Sequence, residues 1–384
     1  MRDTADVVVV GGGVVGVSVA YHLAAAGAGT VLLLERADQL GTGSTGACAG
    51  GFRHQFSSEV NVRLSLASVP MITGFEERHG LPLDVSQDGY LFLVRSEGSW
   101  REFLAAVELQ RSLGVEVETL TPEQATGLIP GIAVDGMLGA TFGPRDGIAD
   151  PSGLTLGYAT AARRAGASIA TGVEALSVEV TGERVSGVST SNGFVSSPVV
   201  VNAAGPWAGS LAATAGVDLP LDPIPRQVVV TGPFPQVPGR RTLVIDADTT
   251  FYFHREGEGV LMGMGGRDER PSFDTALDDA FVADQLLPTA VGVFPPLEQA
   301  EVRHRWAGLY EMTPDRHPIL GQAPEIGGLY LANGFSGHGF QHAPVVGKLL
   351  AEMILEGRAR TVDVSSLGLE RFSVGRVVPE HHVV

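Results

Sequence analysis

The sequence predicts an α/β fold, α+β overall, in which a parallel-sheet domain is interrupted by a second domain carrying a mixed β-sheet. Three observations predict it. The chain opens on a strand, a glycine turn, a helix and a second strand. From about residue 219 to 316 its character changes to scattered prolines and alternating strands. Then residues 329–332 return to a buried-strand pattern, followed by a glycine-rich turn and an apolar helix over about 343–356.

Taken in order, residues 7–10 are a β-branched run typical of a strand buried on both faces. Residues 14–26 read as a helix of small residues, ended by Gly27 and Gly29, and residues 30–35 form a second apolar strand. That makes a βαβ unit. A strand is expected at 91–94 and an amphipathic helix at 100–113. Asp150 before Pro151 is a helix start, a capping side chain followed by a residue whose missing N–H costs nothing there. This helix should run to about Arg164 and stop at Gly166. Short strands follow at 168–171, 175–180 and 185–189, then an apolar strand at 199–202. The middle stretch offers strands at 227–231 and 250–254 and a helical interlude at 278–287. The expected division gives 1–82, 146–218 and 316–370 to the first domain, 83–145 and 219–315 to the second, and 371–384 to a tail.

Composition narrows the function classes. A chain of 384 residues with 44% hydrophobic and 18% charged residues is expected to be compact, not disordered. Its net charge of −17 argues against a nucleic-acid or anionic-membrane partner. The single cysteine, Cys48, excludes an internal disulfide, and the simplest compartment is a reducing cytoplasm. The ten histidines lack zinc-type spacing, so no metal is expected. Residues 7–34 carry no formal charge and are long enough to span a bilayer. With Gly11, Gly12 and Gly13 inside it, strand, turn and helix explain this segment better, and neither a signal peptide nor a membrane span is expected.

The sharpest motif is Gly11-Gly12-Gly13-Val14-Val15-Gly16, a G-x-G-x-x-G between a predicted strand and a predicted helix. Gly11 permits the tight turn, Gly13 lets backbone approach a pyrophosphate, and Gly16 lets helix and strand pack closely. The helix N-terminus, with Val15 in its first turn, offers free N–H groups to a phosphate. Glu35 follows Gly16 by 19 positions, near the roughly 20 expected of a ribose-binding carboxylate. The alternative is a glycine turn that binds nothing, and the strand, helix and acid in register weigh against it. The motif does not distinguish one dinucleotide from another.

Further segments do. Glu35-Arg36, Gly43-Ser44-Thr45-Gly46, Ala203-Ala204-Gly205-Pro206-Trp207 and Gly334-Phe335-Ser336-Gly337-His338-Gly339-Phe340 together resemble the D-amino-acid oxidase superfamily of FAD enzymes. Within it they resemble the sarcosine oxidase and dimethylglycine dehydrogenase branch, from Val7 to about Glu356. The resemblance implies FAD lying through the first domain with its flavin ring at the domain boundary. It implies cofactor contacts at Glu35, Arg36, Ser44, Thr45, Gly50 and Gly51. Val173 would meet the adenine, and Ala204, Gly205 and Trp207 would lie along the cofactor. Gly337, His338, Gly339, Phe340 and Gln341 would serve the flavin.

The family oxidises the carbon beside an amine nitrogen, and a carboxylated substrate calls for a fixed cation. Arg53, in Gly50-Gly51-Phe52-Arg53-His54-Gln55-Phe56, stands where sarcosine oxidases carry a carboxylate-binding arginine, with a structural salt bridge as the alternative. Tyr252 lies on a strand whose counterpart lines the substrate pocket, and Tyr310 stands where glycine oxidases carry arginine and sarcosine oxidases carry tyrosine. Arg53, Tyr252, Tyr310 and Gln341 are thus the expected catalytic residues. Gly308 replaces the cysteine, and Ala47 the histidine, through which relatives attach FAD, so non-covalent FAD is expected. Leu261 and Gln341 replace pocket lysines, and the one lysine, Lys348, lies beyond them, which puts oxygen in doubt as acceptor. The resemblance implies an FAD-dependent amine or amino-acid oxidase or dehydrogenase, turning a sarcosine-, proline- or opine-like substrate into an imine. Its acceptor is oxygen or another electron carrier, and homo- or hetero-oligomers stay open. The alternatives are a tailoring oxidase on a larger intermediate and a flavoprotein subunit or assembly factor of an electron-transfer complex, which residues 50–57 also resemble.

Overall fold

The computed structural model describes residues 3–266 and 269–382; residues 1–2, 267–268 and 383–384, at the ends or inside the expected segments, lie outside the description. A six-stranded sheet runs Ile319–Gln322, Leu329–Asn333, Val200–Asn202, Val7–Val10, Val31–Leu34, Ser168–Ala170 in spatial order. Its neighbours are parallel except at the Ile319–Gln322 edge. Its strands carry no polar alternation because both faces are covered. Val7, Val9, Val31 and Leu33 belong to one core with helices Val14–Ala25, Pro151–Arg164 and Gly339–Glu356. Val8, Val10, Leu32 and Leu34 belong to another, with the antiparallel meander Ala175–Thr181, Arg184–Thr190, Gly193–Ser196.

The second large sheet has eight strands: Val302–Met312, Asp222–Thr231, Gly259–Met264, Tyr252–Glu256, Leu243–Asp246, Tyr90–Val94, Gly139–Gly143, Glu118–Leu120. It is antiparallel except where Leu243–Asp246 pairs with Tyr90–Val94. Alternate residues again sort by face. Leu91, Leu93, Val244 and Phe253 pack with the helical segment 279–299, through Val282, Leu286, Ala290 and Phe294. Tyr90, Phe92, Val228 and Tyr252 form the other face, with Ala49 and Trp306 packed against it. Strands of the six-stranded sheet fall within 1–82, 146–218 and 316–370, and those of the eight-stranded sheet within 83–145 and 219–315. A small sheet of Gly51–Phe52, Gly147–Ala149 and Val85–Ser86 draws on both sets.

The Asp150 cap is present, its carboxylate accepting from Ser152 N at 2.9 Å. Other elements differ from the sequence reading for physical reasons. The last long helix starts at Gly339 and not near residue 343, because Gly339, Gln341 and His342 interrupt the apolar pattern in its first turn. Asp222–Thr231 begins earlier than expected despite Pro223 and Pro225. Over 222–226 it pairs on one side only, where a missing N–H leaves no ladder bond unmade. The helix Glu59–Thr73, with Pro70 inside it, had no counterpart in the sequence reading. Among the described residues no helix is long and apolar enough to cross a membrane.

The helices Val14–Ala25 and Gly339–Glu356 touch closely. A Cβ on Gly347 would lie 2.3 Å from Ser18 Oγ and 2.6 Å from its backbone carbon. Gly347→Val should therefore destabilise the holoprotein by about 2 kcal/mol or more in urea unfolding. Gly98→Ala, where a Cβ would meet nothing within 4 Å, should stay within about 0.5 kcal/mol of wild type. Equal midpoints for both variants would contradict this packing.

Candidate cofactor and active site

The site starts where the first strand ends. Gly11 holds φ of +114°, and a Cβ there would sit 2.2 Å from the Ala203 carbonyl oxygen. A Cβ on Gly16 would lie 1.9 Å from the Gly11 carbonyl, so the turn closes only with glycine at both ends. Thr45 Oγ1 accepts from Val14 N at 3.2 Å, bringing a second loop over the helix N-terminus. The turn offers backbone N–H groups and the positive end of a helix to an anion. Glu35 closes the second strand, its two oxygens accepting from Gly12 N at 2.6 Å and Ala37 N at 2.8 Å. Each oxygen keeps a lone pair for another donor.

A cavity of about 490 Å³ runs from this turn across to the face of the eight-stranded sheet. Gly11, Gly13, Val15, Glu35 and Val173 line its first part, with Arg36 stacked over Trp207 at 3.6 Å. Ala204 and Gly205 lie in the wall beside Trp207, whose ring also stacks on Phe273. The loop 41–49 forms the middle. Ser44 Oγ donates to the Leu309 carbonyl at 2.6 Å, and Trp306 Nε1 donates to the Ala47 carbonyl at 3.0 Å. A Cβ on Gly308 would stand 2.6 Å from Ala47 Cβ, so these two positions face each other here. Cys48 lines the same wall, and burial pushes its thiol up to about 12.

At the far end stand Tyr252 and Tyr310. Gly337, at φ +92°, lets the turn press on Tyr310, since a Cβ would fall 2.5 Å from that ring. Gly339 and Phe340 complete this end. Burial raises both phenols above their ordinary value, keeping them neutral donors. Arg226 and Glu311 are among the lining residues that were not expected from the sequence. Arg226, on Asp222–Thr231, holds its guanidinium 5.0 Å from the Tyr310 ring centre. Glu311 lines the wall with Oε2 unpartnered, and burial raises its carboxyl to about 7. A strand arginine next to proline and an acid two places before Thr313 carry no motif that would have marked them.

Six expected site residues lie outside the lining. Gly16 acts through packing alone. Gly50 accepts from Ala149 N at 2.8 Å, and Gly51 makes room for Tyr90. Arg53 is 3% exposed, and its guanidinium donates to the carbonyls of Gln55 and His382 over the Phe56 ring. His338 Nε2 lies 3.4 Å from Arg53 Nη2, and Gln341 Oε1 accepts from Arg53 N at 2.6 Å. The C-terminal segment closes this compartment. Glu380 accepts from Ser57 N at 2.8 Å, Ser58 N at 3.1 Å and Asn61 Nδ2 at 3.1 Å. Thus Arg53, His338 and Gln341 form a buried cluster behind the cavity, while Tyr252 and Tyr310 face it. Among the described residues no group of three or more His, Cys, Asp or Glu could hold a metal.

These residues fit FAD: an anion-binding turn, an acid for ribose hydroxyls, and an aromatic end with the unpartnered Glu311 Oε2 in its wall. Comparison with known proteins agrees. Residues 6–353 match the family described as "DAO: FAD dependent oxidoreductase". Sarcosine dehydrogenase, mitochondrial, of Mus musculus is 32% identical over 390 aligned positions covering 97% of this chain, which spans only 42% of that protein. FAD-dependent oxidoreductase domain-containing protein 1 of Bos taurus is 34% identical over 427 positions, covering 100% of this chain and 87% of its own length. The structure of L-proline dehydrogenase from P. horikoshii superposes with a TM-score of 0.91 at 32% identity, covering 98% of this chain and 99% of that one.

Glu311 gives a pH test. Its folded-state pKa is raised from 4.5 to about 7, so its stabilising contribution is full below pH 4.5 and is lost as pH rises through 7. The cofactor-free protein should lose more stability over that window than Glu311→Gln does, measured as urea midpoints against pH. Parallel curves would show that Glu311 is not desolvated.

Proposed function

Because the chain belongs to the DAO family of FAD-dependent oxidoreductases, we propose that it oxidises the carbon–nitrogen bond of a small carboxylated amine, N-substituted or cyclic. The observation that carries this reading is the single cavity joining the Gly11–Val15 turn to Tyr252 and Tyr310. When bound, FAD supplies a two-electron acceptor, the substrate losing the hydrogen beside nitrogen with two electrons and a proton from nitrogen to leave a C=N bond.

The chain's part is binding and orientation. The turn and helix end hold the pyrophosphate, Glu35 receives ribose hydroxyls, and Gly337 to Phe340 position the ring end. Tyr252 and Tyr310, neutral phenols on two strands of one sheet, donate O–H to the substrate and exclude water from it. The domain division by sheets, with FAD on 1–82, 146–218 and 316–370 and substrate on 83–145 and 219–315, belongs to the same reading.

FAD is held without a covalent bond, since Gly308 and Ala47 offer no nucleophile and the Cys48 thiol is kept protonated. The chain's one lysine, Lys348, is exposed on the Gly339–Glu356 helix, so no ammonium stands by the tyrosines to support reduction of oxygen. This favours a dehydrogenase that passes electrons to an acceptor such as a quinone.

Anaerobic mixing of the yellow holoprotein with sarcosine, proline, hydroxyproline, glycine and D-alanine tests the reading. The flavin should bleach with N-substituted or cyclic members and not with glycine or D-alanine, recover slowly in air, and recover fast with a quinone. Acid precipitation should leave all FAD in the supernatant. No bleaching by any member would defeat the substrate class, and flavin in the pellet would defeat non-covalent binding.

A further inference from the structure

A carboxylated substrate bound between Tyr252 and Tyr310 needs a cation there, and the cavity wall holds two. Arg36 is stacked on Trp207, beside the residues of the dinucleotide end. Arg226 is the other. Arg53 is spent elsewhere, its guanidinium taken by two backbone carbonyls and capped by the C-terminal segment.

Arg226 sits opposite Gly308 in the pairing of Asp222–Thr231 with Val302–Met312, so its strand position fixes it in the cavity wall beside Tyr310. Its side chain is 11% exposed and lies over Tyr310. Its Nε finds no hydrogen-bond partner among the described residues. Among the described residues its carboxylate partner is Glu269, with which it forms an ion pair through Nη1. Glu269 is more open, at 27% exposed, lies outside any strand or helix, and is steadied by one bond from Gly266 N at 2.7 Å.

This asymmetry is informative. A buried guanidinium with no anion is costly, so some carboxylate must accompany it when the site is free of substrate. Glu269 fills that need from a position where leaving costs little, because its carboxylate regains water. An arriving substrate carboxylate replaces it charge for charge, accepting from the Nε–H and Nη–H fork while the phenols of Tyr252 and Tyr310 stand alongside.

We infer that Arg226 is the residue that anchors the substrate's carboxylate, and that Glu269 is its built-in stand-in, displaced when substrate binds. The assignment rests on the amine-oxidation reading above and adds the specificity determinant. It makes the site selective for carboxylated amines over the same amines without a carboxylate.

The test uses holoprotein variants Arg226→Gln, Arg226→Lys and Glu269→Gln, each first checked for full FAD content. The binding probe is pyrrole-2-carboxylate, a ring acid that the enzyme cannot oxidise in this way, followed by perturbation of the flavin spectrum. The kinetic probes are proline and pyrrolidine under anaerobic conditions. Arg226→Gln should weaken pyrrole-2-carboxylate about a hundredfold or more and depress proline selectively, narrowing its advantage over pyrrolidine. Arg226→Lys should recover part of this, a point charge without the fork. Glu269→Gln should bind the probe several-fold more tightly than wild type.

A wild type reduced by proline alongside an Arg226→Gln variant with unchanged probe binding and unchanged proline preference would overturn the assignment and leave the functional reading standing. A wild type that neither binds the probe nor is reduced by any amine would remove both. Equal probe binding in Glu269→Gln and wild type would overturn the stand-in role.

Discussion

The site depends on one joint, the fastening of loop 41–49 onto the strand Val302–Met312. Ser44 reaches the Leu309 carbonyl at 2.6 Å and Trp306 reaches the Ala47 carbonyl at 3.0 Å. Between these bonds Gly308 and Ala47 stand so close that no larger side chain fits without movement. The loop also meets the helix start through Thr45 and Val14. One loop therefore ties the anion-binding turn of the six-stranded sheet to the edge of the eight-stranded sheet. The cavity runs along those contacts, with Ala47, Cys48, Gly308 and Leu309 in its wall.

Charge in this space is arranged by burial. The tyrosines and Cys48 are held in their neutral forms, and Glu311 is pushed toward its own. At the dinucleotide end the Glu35 carboxylate accepts from two backbone N–H groups. At the tyrosine end the guanidinium is that of Arg226. Such a wall suits a flavin and a neutralised carboxylated substrate, because fixed dipoles and neutral donors take the place of water.

The sequence made the first part of this legible because its signals are local. Gly11, Gly13 and Gly16 are recognisable from their spacing between a strand and a helix, and Asp150-Pro151 caps the helix that follows it. The resemblance led to Tyr252 and Tyr310, whose strands converge only in the fold. What stayed hidden depends on distant partners. Arg53 in its sequence context resembled a substrate cation, yet a carbonyl 329 residues away closes over it. Arg226 lay outside the expected strand at 227–231 and carried no signal of its own; only the pairing with Gly308 sets it in the cavity wall. The strand Asp222–Thr231 was shortened in the reading because Pro223 and Pro225 disguise residues paired on one side only.

The most direct measurement is a crystal structure of the protein reconstituted with FAD. The pyrophosphate should lie on the Gly11–Val15 turn with ribose hydroxyls on Glu35. The isoalloxazine should lie between the Ala47–Gly308 joint and the Gly337–Phe340 turn, its open face toward Tyr252, Tyr310 and Arg226. A ring placed instead in the compartment of Arg53 and His338, or pyrophosphate density away from the glycine turn, would contradict the account.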